Sequence, residues 1–498
     1  MSTARPRTAG PALLNGTPPA GRAVDVPAGP DAGPAREAGA PGSPEAAARA
    51  ALSPRTRLLL EGPVIPTLLR LAAPNVLVMV LQAAVSTLDA VYVGWVGPAA
   101  LAGVSLVFPL VMLMQTMSAG GMGGGVASAV ARALGAGRRD LANALAAHAI
   151  VIALVMSALF TLGLLAGGPW LYAAMGGQGP VLEAALAYSH VVFGGAVAYW
   201  MLNTLSSIVR GTGVMAVPAA ITTAAGVLYL VLSPALVMGW GPFPRLGVAG
   251  AGAASVASFG LASLALLGYL FSGRCLVRPA ARDFRLRAAR FGEILRVGAP
   301  GSLNTVLTNL TVVVLTGLVG GFGPAALAGY GMGARLEYLQ IPLVFGFGSA
   351  LVAMVGTNVG AGQRARAERI AWTGAAMAAG VTGGIGLLGA LFPRVWLGLF
   401  TADPEIIAAG IRYLHVVGPA YGFFGLGLAL YFASQGAGRL MWPLVGGFAR
   451  LLVAAAGGAL AVGWFGLGLD GVFAAMALAL LVFGTTVALA VRGGAWRR

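Results

Sequence analysis

The chain has 498 residues, of which 58% are hydrophobic and only 9% charged, and its mean hydropathy is +0.86. A soluble domain carries about 25% charged residues, so water-soluble enzyme classes drop out and a polytopic membrane protein is indicated. The net charge of +16 is carried by arginines set between apolar stretches, where charge sets orientation, which argues against nucleic-acid binding. Residues 1–62 are rich in Pro, Ala and Gly and too poor in bulky apolar residues to fold, so a disordered cytoplasmic tail is expected. Twelve apolar stretches then follow, at about 66–95, 99–131, 141–168, 181–208, 216–239, 247–272, 292–319, 325–357, 367–392, 404–433, 441–463 and 469–491. Each is long enough for the roughly 20 residues that a membrane-crossing helix needs. The second and eighth exceed one straight crossing, and Gly120 to Gly125 and Gly346 with Gly348 suggest bends there.

Arginines concentrate in the loops after even-numbered stretches, for example Arg138, Arg139, Arg210, Arg274, Arg364 and Arg439, whereas the odd loops carry little beyond Arg245 and Arg394. Both termini should therefore be cytoplasmic, in a bacterial inner membrane. The basic segment 273–291 is expected to link the halves and to offer a short amphipathic helix to the anionic leaflet.

The chain is internally duplicated. Gly97-Pro98-Ala99-Ala100-Leu101-Ala102-Gly103 recurs identically from Gly323 to Gly329. Leu134-Gly135-Ala136-Gly137 is answered by Val359-Gly360-Ala361-Gly362, and Tyr188-x-His190 by Tyr413-x-His415. The expected fold is all-α: twelve transmembrane helices in two six-helix pseudo-symmetric bundles. An N-terminal lobe spans 63–272, a C-terminal lobe 292–491, and a short C-terminus 492–498. Halves of equal topology enclose a cleft suited to alternating access.

Only two carboxylates lie well inside apolar stretches, Asp89 and Glu337. An ionised carboxylate at mid-membrane costs about 2.5–3.5 kcal/mol on insertion scales, so both are candidate cation-coupling groups. Gln82, seven residues before Asp89, shares its helix face. Position 315, the counterpart of Asp89, is Leu315, and that of Glu337 is Val111, so the scaffold is duplicated but the acid groups are not. Further substrate-site candidates are Tyr199, Asn203, Tyr229, Ser233 and Ser255 in the first half and Asn304 and Thr308 in the second. The repeated Tyr-x-His reads as inherited packing, and the run Met112, Met114, Met117, Met122 mainly as packing or lipid surface. Lysine is absent, so there is no phosphate-binding Gly-x-x-x-x-Gly-Lys-Ser/Thr motif. No His-Glu-x-x-His occurs, and the single Cys275 argues against a multi-cysteine metal site. No catalytic residue, metal or cofactor is expected.

Several of these stretches together resemble the multidrug and toxic compound extrusion (MATE) family, in its DinF-like prokaryotic branch, over nearly all of residues 64–490. Val85-Ser86-Thr87-Leu88-Asp89-Ala90-Val91-Tyr92-Val93-Gly94 resembles the family's Val-Asp-Thr-x-x-Val-Gly stretch. Leu134-Gly135-Ala136-Gly137, Arg210-Gly211-Thr212-Gly213 with Pro218, Gly247-Val248-Ala249-Gly250-Ala251 and Arg335-Leu336-Glu337 are similar to its later motifs. The resemblance implies efflux of amphipathic, often cationic, compounds against inward H+ or Na+, with Asp89 as the coupling acid and Gln82 at a substrate position. The family's Asn-x-x-x-Asp-Pro is replaced by Tyr229-Leu230-Val231-Leu232-Ser233-Pro234, Ser255 stands where a Thr is common, and the seventh-span acid gives way to the region of Asn304 and Thr308. Losing these oxygens degrades a Na+ site, so H+ coupling is expected. The expected partners are a small-molecule substrate, H+ or Na+ and membrane lipid, with the chain acting as a monomer. The alternative is a lipid-linked saccharide flippase of related architecture, which would want several cavity arginines for pyrophosphate.

Overall fold

The structure, a computed structural model, describes residues 53–496, apart from the side chains of residues 83, 84, 86, 87 and 90. The expected disordered tail therefore falls largely outside the described residues, but its last part is helical. Ser53 Oγ accepts from Thr56 N at 3.2 Å and caps α1 (Pro54–Glu61), which Pro54 starts with its preset backbone angle. Leu59 and Leu60 anchor this helix by burial.

Every regular element among the described residues is helical, as a lipid environment requires when backbone groups must pair within their own segment. Among the described residues, eleven helices are long and apolar enough to cross a membrane, and a bent pair makes the twelfth. The first span is Val64–Gly94 and the second runs from Pro98 through a π turn, Met117–Met122, to Gly135. The third is Arg139–Ala174, the fifth Ala216–Met238 and the sixth Val248–Phe271. The fourth consists of Gly179–Gly194 and Ala196–Gly211, meeting at 46°. In the second half the seventh to ninth are Ala288–Gly320, Pro324–Gly360 and Arg364–Leu391, and the twelfth is Gly468–Arg492. The tenth, Pro404–Val417 and Tyr421–Ala437, breaks at Gly418–Ala420, the duplicate of the break at Gly195 in the fourth. The eleventh runs from Met441 to Gly463 through a second π turn, Val453–Gly457. Of the two long spans, the second passes without interruption through a π turn that holds Gly120 and Gly121, while the eighth is one helix of 37 residues.

The linker holds only a short 3-10 turn, Ala281–Phe284, instead of an amphipathic helix. Its backbone is claimed by the third span: Arg278 N donates to Asn143 Oδ1 at 2.9 Å and Arg287 N to His148 Nε2 at 3.0 Å. Cys275 and Val277 pin it by burial in the first half's core, and burial pushes the Cys275 thiol up.

The halves meet along two reciprocal seams, the first span against the eighth and the second against the seventh. Gly346 sits against Val76, Gly121 against Ser302, and Gly125 against Gly298, so small residues let these backbones approach closely. Asn75 Nδ2 donates to Ser349 Oγ at 2.7 Å, and Gln435 Nε2 to Gly120 O at 2.9 Å. α1 adds a further tie: Asn358 Nδ2 donates to Leu59 O at 3.0 Å, and Arg366 donates to Gly62 O. Among the described residues, the hydrogen bonds between halves all lie toward the arginine-bearing end. The bundle is closed there.

Candidate functional site

Asp89 lies five residues from the C-terminus of the first span, or about 8 Å along the axis at 1.5 Å per residue. Its Oδ1 accepts a hydrogen bond from the Tyr229 hydroxyl of the fifth span. Tyr229 is buried, and Ser233, one turn further on, is fully buried. Tyr188 and Tyr199, on the two segments of the bent fourth span, lie within electrostatic range of Asp89. Tyr199 OH donates to Ser255 Oγ on the sixth span at 2.7 Å, and its ring meets Phe259 edge-on at 4.8 Å. Three spans of the first half thus bring phenol and hydroxyl groups toward the carboxylate of a fourth. Among the described residues no arginine or histidine stands within 4.0 Å of it.

The remaining candidates of the first half divide. Gln82 is half-buried on the span that carries Asp89. Asn203 turns the other way and donates to Ser118 Oγ on the second span at 2.8 Å. Met114 and Met122 are buried in the first half's core.

The second half builds a different acid site. Glu337, on the eighth span, has its Oε1 3.7 Å from Arg450 Nη2 of the eleventh. Its Oε2 accepts from Tyr413 OH at 3.3 Å, and Tyr413 OH lies 3.1 Å from Tyr421 OH. The Arg450 guanidinium also lies over Phe424, 5.4 Å from the ring centroid. Arg335, only two residues from Glu337, points elsewhere, over Phe400 at 5.1 Å. Asn304 faces Gly447 of the eleventh span, with Thr308 Oγ1 donating to its carbonyl at 2.9 Å. The two acids therefore head separate clusters, one per half, while Asn203, Asn304 and Thr308 make their contacts elsewhere.

The tyrosines of Tyr-x-His pack in the two cores, as expected, and they also face the acids. His190 and His415 are exposed, whereas Tyr188 and Tyr413 are buried and turned toward the acid of their own half. The duplication itself was the available signal, because it places these tyrosines at one position of the repeat although the acids are not duplicated. Arg450 as the partner of Glu337 had no local signal.

The family model MatE matches residues 74–235 and 300–460, one match in each half. A FAD transporter from Shewanella oneidensis is 28% identical over 79% of this chain and 87% of its own length. A probable multidrug resistance protein NorM from Thermotoga maritima is 26% identical, covering 86% of this chain and 93% of its own. Among solved structures, a MATE transporter in complex with MaD3S superposes with a TM-score of 0.82 at 26% identity, over 89% of this chain and 98% of the other. A multidrug resistance MATE transporter in an outward-facing conformation gives 0.81 at 25% identity, over 89% and 98%.

Proposed function

The chain belongs to the MatE family of multidrug efflux transporters, and on that premise we propose that it exports amphipathic or cationic organic compounds in exchange for inward H+. The single observation that carries this reading is the contrast between the two acids. Glu337 already faces a guanidinium, whereas Asp89 has a hydrogen-bond donor and no cation. A half-buried carboxylate without a counter-ion is the one whose charge state an incoming cation can change.

The oxygen set around Asp89 favours the proton. Tyr229 uses its hydroxyl as a donor to Asp89, and Tyr199 as a donor to Ser255. A hard metal cation wants several carboxylate and carbonyl oxygens, which these groups do not supply. The arginines that a flippase would need are otherwise engaged: Arg450 by Glu337, and Arg335 by Phe400, while Arg412 is exposed. That supports a cationic or amphipathic substrate over a pyrophosphate-linked one.

We place the arginine-bearing end in the cytoplasm of a bacterial inner membrane, with both termini inside and the chain working as a monomer. Closure at that end then corresponds to an outward-open state. Proton arrival at Asp89 neutralises it and releases substrate outward; deprotonation after closure lets substrate bind again from the inside. In inverted vesicles with a fluorescent cationic dye outside, Asp89→Asn should lower pH-driven dye uptake to the level of vesicles lacking the protein. Full proton-driven transport by that variant would eliminate the mechanism. Imposing Na+ and pH gradients separately on the unaltered protein tests the choice of ion, and activity with Na+ alone would overturn it.

A further inference from the structure

We propose that the cavity closing the arginine-bearing end is a binding site for a phosphate-bearing anion. The cavity measures about 470 Å³, well within the range of small-molecule sites. Its charged lining consists of Arg132, Arg296, Arg364 and Arg439 against Glu293 and Glu368, four positive groups to two negative, a net charge of +2. That balance favours an anion over a cation.

The positive groups are not all spent. Arg132 donates to Ser128 Oγ and to Gly436 O, and the Glu293 charge acts on it. Glu368 is already engaged. Arg296, Arg364 and Arg439 form no ion pair among the described residues and are exposed at the cavity rim. Three guanidinium forks around one hollow fit the oxygens of a phosphate monoester, a diester or a pyrophosphate, which accept two parallel N–H bonds from each fork. One wall is the buried Trp496, whose Nε1 donates to Ser434 Oγ at 3.3 Å.

The site draws on both halves. Arg132 belongs to the second span, and the other charged groups to the seventh span, the ninth span and the loop after the tenth. An anion held between them exists only while this end is closed. It would therefore shift the population toward that conformer by the difference in its affinity for the two states. No group of the Asp89 cluster takes part, so the inference stands or falls independently of the coupling mechanism.

The test uses the full-length protein in phosphatidylcholine nanodiscs, reading the thermal unfolding midpoint against added pyrophosphate, with sodium chloride at equal ionic strength as control. A parallel series replaces phosphatidylcholine stepwise with phosphatidylglycerol. A rise with pyrophosphate alone identifies a soluble phosphate compound as the ligand. A rise with phosphatidylglycerol alone identifies a lipid headgroup, and a rise in both shows a site that accepts either. In each case the double variant Arg364→Gln/Arg439→Gln should need about tenfold more ligand for the same rise. Glu293→Gln, which removes a negative charge, should need several-fold less, a gain that a folding defect cannot mimic. The proposal fails if no rise occurs in either series, if sodium chloride reproduces it, or if the double variant responds like the unaltered protein. Should the double variant not fold, an unchanged or weaker response of Glu293→Gln overturns the proposal by itself.

Discussion

At the scale of single residues, Glu337 and Asp89 differ in what their surroundings ask of them. Glu337 and Arg450 are side chains only 19% and 10% exposed, facing each other at 3.7 Å, with Tyr413 on the second carboxylate oxygen. Removing one member of such a pair strands a charge in a medium that solvates it poorly, which costs about 3 kcal/mol or more, whereas removing both is often close to neutral. Glu337→Gln and Arg450→Gln should thus each lower the unfolding midpoint in detergent sharply, and the double variant should recover most of the loss. If the double variant also regains transport, Glu337 holds the second half together and does not carry the coupled cation; if it folds but does not transport, the acid has a further role. Asp89 presents the opposite case. Its hydrogen bond from Tyr229 joins a donor to a charged acceptor, a type worth about 1.5–3 kcal/mol. Tyr229→Phe should accordingly slow dye export by about tenfold or more while leaving the unfolding midpoint within a few degrees of the parent. Full transport by that variant would show that Tyr229 does not position the acid.

At the scale of elements, the duplicated turn Leu134-Gly135-Ala136-Gly137 and its copy Val359-Gly360-Ala361-Gly362 show what a repeated motif is for. Gly135 lies against the backbone of Thr357, and Gly360 against that of Arg132, so each copy packs on the last helical turn leading into the other. A Cβ on either would overlap a carbonyl of the partner helix. The second glycine of each copy takes a left-handed backbone, φ 73° at Gly137 and 78° at Gly362, which ends the helix there. Gly135→Ala and Gly360→Ala should each cost about 1–3 kcal/mol by overpacking, and the penalty should fall on the conformer closed at this end. Cysteine cross-linking between Arg138 and Gln363 positions, in a Cys275→Ser background, should drop in both variants; undiminished cross-linking would show that the seam tolerates the added methyl. The linker shows the reverse relation between motif and element. Its arginines suggested a surface helix, but its backbone donors are taken by Asn143 and His148 on the third span. A tertiary acceptor overrides local propensity there, and no pattern within 273–291 announces it.

At the scale of the molecule, the spans and the duplication were legible because both are local properties: an apolar run long enough to cross a bilayer, and short words repeated at a constant offset. Asp89 and Glu337 stood out for the same reason, as charges in oil. Their partners did not, since Arg450 and Tyr413 reach Glu337 only through the packing of the eleventh and tenth spans on the eighth. Nor was it legible at which end the halves would be closed. Two bundles of one topology are joined along glycine-lined seams and tied by hydrogen bonds toward a single end. If the bundles rock as rigid units, their two ends must move in opposite senses. Spin labels on cysteines replacing Val96 and Phe322, duplicate positions at the opposite end, should therefore report a distance that shortens as the distance between labels at Arg138 and Gln363 lengthens. Substrate and low pH compete for Asp89 in the proposed cycle, so they should shift the two label pairs in opposite directions, and the fractional populations read from both pairs should agree at every pH. Substitution of Asp89 by Asn should abolish the pH response of both pairs and leave each locked near one limit. Two pairs that move independently would mean that the helices bend singly within fixed bundles, and two pairs that never move would mean a scaffold that no longer transports by alternating access.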